Sequence, residues 1–300
     1  MRGAHFGVHL GLVGMVLVWG VSWPAARVLA QAMPPLAASA WRFSLAVIVL
    51  LGWLRWHLGR WPRVSHRQWL GLMAAGSAGV FAYSVFFMFA MQRVEASRAA
   101  VVVTINPVFT TLLAAWWFKE RFNRWVGVGL ALAVVGGATV LTKGAPWKVL
   151  AGDIGSGEWL LLGCIASWVG YSLMGRRLMA GIDSLTATTI TAAVGCVLLW
   201  AAAFAFEGVP QVLGALNGLS GAVWLSLVFM AIGATVLAYA WFNRGIEVLG
   251  AGVASSYISL VPVVGVGSSV LLLGERLDAS LLVGGALALA GVVMANRARR

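Results

Sequence analysis

The 300-residue chain is 61% hydrophobic and 10% charged, with a mean hydropathy of +0.92; a soluble domain averages about 45–50% apolar and about 25% charged. Too few polar residues remain to cover that apolar surface in water, so the solvent is lipid, and at about 20 residues per crossing no length is left for a soluble domain. The net charge of +12 does not mark a nucleic-acid binder, because the basic residues fall between apolar runs instead of forming one stripe.

Apolar runs bounded by charges, Gly or Pro predict an all-α integral membrane fold of ten transmembrane helices. The first run, 8–30, has an apolar stretch, Leu10 to Ala26, that follows one Arg and two His and precedes no small-residue cleavage pattern, so it reads as a span and not as a cleavable signal peptide. Trp19, Trp23 and Arg27 share one face of it at i, i+4 spacing, beside Ser22 and a kink expected at Pro24. Arg27 lies near the outer interface and is placed to snorkel. The second run, 35–54, holds Arg42 roughly 10 Å inside the span by helical rise. A central Arg costs about 2.5–3.5 kcal/mol on insertion scales, so it needs water, backbone oxygens or a substrate carboxylate.

The third run, 68–91, offers Tyr83 and Phe87 on one face with Phe86 beside them. The fourth, 97–118, is broken by Pro107, which deprives the carbonyl of Val103 of its helical donor. A freed carbonyl in lipid must find another donor, and Thr104 and Asn106 are near enough to serve. The fifth run, 125–142, carries Gly129, Ala133 and Gly137 at four-residue spacing, and the tenth, 279–296, carries Gly284 and Ala288. Small residues so spaced let helix backbones approach closely in lipid, as packing elements or as an oligomer contact. In the sixth run, 158–176, Trp168 and Ser172 share a face with Arg176, and Tyr171 lies beside them. The seventh, 184–205, contributes no candidate; Glu207 and Pro210 then open a long loop. The eighth run, 220–243, carries Thr235, Tyr239 and Asn243 as an i, i+4, i+8 stripe. The ninth, 249–273, has Ser255 and Ser259 one turn apart and breaks at Pro262 as the fourth does at Pro107. Pro24, Pro107 and Pro262 are the hinge candidates. Polar stripes on apolar helices face a cavity or another helix in preference to lipid.

With the N-terminus inside, the inner segments hold fourteen Lys and Arg and the outer segments five (Arg93, Arg98, Lys143, Lys148 and Arg276), which puts both termini in the cytoplasm. Cys164 and Cys196 sit inside apolar runs and read as small buried residues, with no disulfide framework or metal site indicated. All nine carboxylates fall in loops or at span ends, and the four His fall in cytoplasmic segments, so no mid-membrane Asp, Glu or His is available for proton coupling.

The two halves resemble each other. Trp19, Arg27 and Leu29 match Trp168, Arg176 and Leu178 at an offset of 149, and Pro107, Glu120, Arg121, Gly129, Ala133 and Gly136 match Pro262, Glu275, Arg276, Gly284, Ala288 and Gly291 at an offset of 155. The boundary falls between 1–148 and 149–300. Five spans per half force the second copy to enter from the opposite side of the membrane, the inverted-repeat construction of secondary transporters.

Trp19-Gly20-Val21-Ser22, Arg42, and Ala96, Ala99, Asn106-Pro107, Glu120-Arg121 and Gly127 match the EamA-type pattern, repeated as Ala251, Ala254, Pro262, Glu275-Arg276, Gly284 and Gly291. The chain thus resembles the drug/metabolite transporter superfamily in its ten-helix form, and within it the YddG-type aromatic amino-acid exporters. The second copy departs at Trp168-Val169-Gly170-Tyr171-Ser172, so the first and sixth helices are not expected to be functionally symmetric. The resemblance implies a basket of helices around a central cavity, alternating access and location in a bacterial inner membrane.

The residues expected at that cavity are Trp19, Ser22, Trp23, Arg42, Tyr83, Phe87, Asn106, Trp168, Tyr171, Ser172, Tyr239, Asn243, Ser255 and Ser259. An aromatic cavity, uncharged or mildly basic, suits zwitterionic or apolar metabolites, aromatic amino acids included. The expected function is uniport-like export of such solutes, without cofactor or metal; the alternative is a broad efflux pump for neutral drugs and metabolites. The expected partners are the bilayer and a small solute, with no nucleic acid, in a monomer or homodimer. An intramembrane enzyme is disfavoured by the lack of an Asp pair, a metal cluster or a Ser–His pair within the spans.

Overall fold

The computed structural model describes the backbone of residues 2–106, 108–110, 112–113, 123–178 and 181–298, with the side chains of all of these except 2–5, 175–178, 251, 252, 255 and 296. Pro107, Glu120 and Arg121 lie outside the described residues. Every regular element among the described residues is helical. We label the helices α1 (Arg2–Ala32), α2 (Pro35–Leu58), α3 (His66–Met91), α4 (Ala96–Val103), α5 (Arg124–Leu141), α6 (Ser156–Leu178), α7 (Ser184–Phe206), α8 (Gly221–Leu249), α9 (Ala251–Ile258), α10 (Val261–Leu273) and α11 (Ala279–Ala298). Two short helices, Trp147–Ala151 and Val209–Gly214, lie between them; the second occupies the stretch expected as an open loop, and its Val212 is fully buried.

Among the described residues seven helices are long and apolar enough to cross a membrane: Phe6–Ala32 within α1, α2, α3, α5, α7, α8 and Ser256–Leu273. The apolar part of α11, Ala279–Ala295, is shorter. Helix α6 has the length, but Glu158, Trp159, Trp168, Tyr171 and its serines dilute its apolar content.

Two helices depart from α geometry. Gly76–Ala82 in α3 and Phe229–Leu237 in α8 are π-helical; such wide turns are rare and appear often at functional sites. Two further interruptions fall 155 positions apart. After Val103 the chain turns through Thr104 and Ile105, and after Ile258 through Ser259 and Leu260. The second break matches the expectation for Pro262, which sits in the first turn of α10, where its missing N–H costs least.

Helices α5 and α11 form the most intimate pair in the molecule. Gly129 lies against Gly291 and Ala295, and Gly136 against Gly284 and Ala288, so the two run antiparallel. A methyl group at Gly136 would sit 2.4 Å from the Ala288 amide nitrogen. The small-residue stripe is thus a contact within the chain. Its third member is Gly136; Gly137 instead faces the Ile105 side chain.

Candidate functional site

The centre of the site is Arg42. It occupies the face of α2 that also carries Leu50, Trp53 and His57, at spacings of 8, 11 and 15 residues, which keep one helical face. Those three residues line a cavity of about 460 Å³. Asp183, Ser184 and Thr188 of α7 line its second side, and Val236, Tyr239 and Asn243 of α8 its third, with the paired Arg244 and Glu247 at the rim. By helical rise Arg42 lies roughly 12 Å deeper than Leu50. Its Nη2 donates to Thr235 Oγ1 at 3.3 Å, and its guanidinium carbon sits 4.7 Å from the centre of the Phe43 ring. Its Nε is buried with no hydrogen-bond partner. The backbone oxygens expected as an alternative partner do not bond it.

The π turn of α8 fixes Thr235. Its hydroxyl donates to the carbonyl of Met230, five residues back, at 2.9 Å, which leaves an oxygen lone pair facing Arg42. Tyr239, one turn further along, lies within electrostatic reach of Arg42, as does Tyr83 of α3.

The aromatic candidates converge around this pair of helices. Tyr83 stacks on Phe87 with centroids 5.7 Å apart, and Phe87 meets Trp23 edge-on at 5.4 Å. Tyr83 also meets Trp168 of α6 at 5.9 Å, and Trp168 packs on Tyr171 at 5.6 Å. Across the site Trp19 meets Tyr239 at 5.3 Å and donates its indole N–H to the carbonyl of Ala234 at 3.0 Å. Tyr171 lies against Gly79 of the π turn in α3; a methyl group there would be 2.4 Å from its ring, so only glycine lets the ring in. Side chains from α1, α3, α6 and α8 thus form an aromatic wall, with Arg42 of α2 as the fixed cation among its tyrosines.

Other candidates take structural roles. Ser22 donates to the carbonyl of Trp19 at 2.7 Å and Ser172 to that of Trp168 at 2.8 Å, so both are satisfied by their own helices. Thr104 bonds the carbonyl of Ala100, not that of Val103. Asn106 is buried at the α4 break, and its Oδ1 has no partner. Asn243 lines the cavity mouth, and Ser259 lies in the break between α9 and α10. The Ser255 side chain is outside the described residues. Sequence reasoning placed α7 but assigned it no site residue, although its first turns read Ser184-Leu185-Thr186-Ala187-Thr188-Thr189, an unusual polar density for the end of an apolar helix. It also missed Leu50, Trp53 and His57, which the Arg42 periodicity indicates.

The opposite end of the bundle is sealed by charged groups. Glu207 accepts from the amides of Leu36 and Ala37 at 2.7 and 2.8 Å, capping α2. Glu275 does the same for Ala96 and Ser97 of α4 at 2.8 and 2.9 Å, and lies 3.6 Å from Arg27 Nε. Carboxylates at helix N-termini are favoured by the unpaired amides and the helix dipole. Arg27 does not snorkel: it also donates to the carbonyls of Met91 and Val94. Arg98, 5% exposed, bonds Glu95, Asp278, Ser280 and the carbonyl of Val140. A buried guanidinium needs that degree of satisfaction, because one left unpaired is strongly destabilising.

The EamA-like transporter family matches this chain over residues 6–142 and again over 155–297. The uncharacterized transporter YyaM of Bacillus subtilis is 26% identical, over 97% of this chain and 94% of its own. A probable amino-acid metabolite efflux pump of Salmonella typhimurium is 28% identical, over 95% of this chain and 94% of its own. A crystal structure of a protein 20% identical superposes with a TM-score of 0.65 and covers 98% of both chains, which shows a shared fold.

Proposed function

The chain belongs to the EamA-like transporter family, whose members are membrane carriers and not enzymes, and from that premise we propose that it exports amino acids and related small metabolites from a bacterial cytoplasm by alternating access. The observation that carries this reading is the asymmetry between the two ends of the bundle. One end opens into a cavity lined by α2, α7 and α8 that leads towards Arg42 and the aromatic wall. At the other, Glu207, Glu275, Arg27 and Arg98 tie the helix ends together. A cavity that runs towards the centre from one end, with the opposite helix ends tied, suits one of the two states such a cycle needs.

In this reading the chain crosses the bilayer ten times, in two five-helix halves inserted upside-down to one another. The antiparallel α5–α11 pair, the π turns in α3 and α8 and the breaks at Thr104 and Ser259 support it, because each lies at a matching position of the two halves. The charge bias places the cavity mouth, with His57 and Arg244, at the cytoplasm. The substrate class is supported by the aromatic wall, and by the Salmonella relative's name as a probable amino-acid metabolite efflux pump.

The test is counterflow of labelled amino acids into proteoliposomes holding the purified chain. Accumulation of neutral or aromatic amino acids above the empty-liposome background is expected. No accumulation across the twenty amino acids, with flux of neutral drugs instead, would move the assignment to a broad efflux pump.

A further inference from the structure

We propose that Arg42, with the hydroxyls of Tyr83 and Tyr239, binds the carboxylate of the transported solute, so that a free carboxylate is a requirement for recognition. This rests on the carrier reading above and names the group on the solute that the site selects.

Arg42 carries a charge that the protein leaves largely unpaired. A guanidinium has five N–H donors and no acceptor, and Arg42 places one hydrogen bond on protein, the 3.3 Å contact to Thr235. Its buried Nε has no acceptor. The Phe43 ring offsets part of the charge but accepts no conventional hydrogen bond. Among the described residues no carboxylate pairs with Arg42, because the acidic side chains sit at helix ends and between helices: Glu275, Asp278 and Glu95 seal one end, and Asp183 and Glu247 lie at the cavity mouth. The contrast with Arg98 is instructive. That guanidinium, 5% exposed where Arg42 is only partly buried, is given two carboxylates, a hydroxyl and a carbonyl. Arg42 is held in place and left open.

The groups near it fit an anion. Neither the Tyr83 nor the Tyr239 hydroxyl donates to a described protein group, and both rings lie within electrostatic reach of the guanidinium. A phenol O–H donates readily to a carboxylate oxygen, and a planar guanidinium binds a carboxylate through two parallel bonds. Beside the apolar faces of Trp19, Trp168 and Phe87 the local dielectric is lower than in bulk water, so such a pair is stronger than it would be in solution. The same wall offers apolar faces for the rest of the solute.

Counterflow of labelled L-phenylalanine in proteoliposomes, with four unlabelled competitors, tests this. L-Phenylalanine and 3-phenylpropionate, which carry the carboxylate, should compete at least tenfold better than L-phenylalaninamide and phenethylamine, which lack it. Arg42→Gln should erase that preference, and Tyr83→Phe and Tyr239→Phe should each weaken it several-fold. If Arg42→Gln does not fold, the wild-type competition series and the two tyrosine variants decide alone. Equal competition by all four compounds in the wild type would overturn the assignment of Arg42 and leave the carrier reading standing. Absence of phenylalanine flux, with no protection of the wild type against thermal unfolding by either carboxylate, would overturn both.

Discussion

The hydroxyl of Ser268 on α10 lies 3.4 Å from the carbonyl oxygen of Gly20 on α1 and 3.2 Å from that of Gly265 on its own helix, and its proton is shared between the two. The Gly20 carbonyl is the one Pro24 leaves without a helical donor, because proline at position i removes the bond to i−4. In lipid an unsatisfied carbonyl costs several kcal/mol, so the kink in α1 and the polar residue in α10 belong together. Gly20 permits the crossing, since a methyl group there would sit 2.3 Å from the Val264 side chain.

Ser268→Ala should therefore destabilise the protein by about 1–3 kcal/mol, the usual cost of an orphaned buried acceptor. Pro24→Ala restores an amide donor. In that background Ser268→Ala should cost distinctly less, which thermal unfolding of the four variants in detergent would measure as a coupling energy.

The α5–α11 contact makes a graded prediction. Gly136→Ala drives a methyl group into the backbone of α11, 2.4 Å from the Ala288 nitrogen, and the helices must separate. Overpacking of this kind costs about 1–3 kcal/mol. Gly285→Ala, whose methyl would rest 3.7 Å from Val101, should leave the unfolding temperature unchanged.

Glu275 joins two jobs at the sealed end, a cap on α4 and a partner for Arg27. Glu275→Ala should cost about 0.5–2 kcal/mol as a lost cap, and it should loosen the seal. A cysteine placed at Val94, which is buried in that seal, should react faster with a membrane-impermeant maleimide in the Glu275→Ala background, with Cys164 and Cys196 replaced. Unchanged labelling would mean that the seal does not depend on this carboxylate.

Thr235 positions Arg42. Thr235→Val keeps the volume but removes the acceptor for Nη2 and the donor to Met230. The concentration for half-maximal counterflow should rise several-fold with little change in maximal rate, and Thr235→Ser should restore it.

Much of this was readable from the residues. The all-helical, apolar character of the chain followed from hydropathy, and the aromatic wall from i, i+4 spacing of Trp19 with Trp23 and of Tyr83 with Phe87. Arg42 stood out because a lone cation in an apolar run has no cheap explanation. What was not readable depended on distance along the chain. Nothing local pairs Arg27 with Glu275, 248 positions away, or Ser268 with Gly20, also 248 away. Pro107 lies outside the described residues, but the fourth span is interrupted just before it, at Thr104 and Ile105, and Thr104 bonds its own helix, as short hydroxyl side chains tend to do. The π turns left no periodic signature, since a single extra residue only blurs a 3.6-residue repeat.

That extra residue has a consequence for aim. Tyr83 follows directly on the wide turn Gly76–Ala82, and Tyr239 stands two places beyond Phe229–Leu237. Each position along an α-helix rotates the next side chain by about 100°. Winding either wide turn as regular α-helix with the same number of residues would swing its tyrosine by a quarter-turn or more away from Arg42. The direction in which both phenols point is therefore written into the width of the two turns more than into the tyrosines themselves.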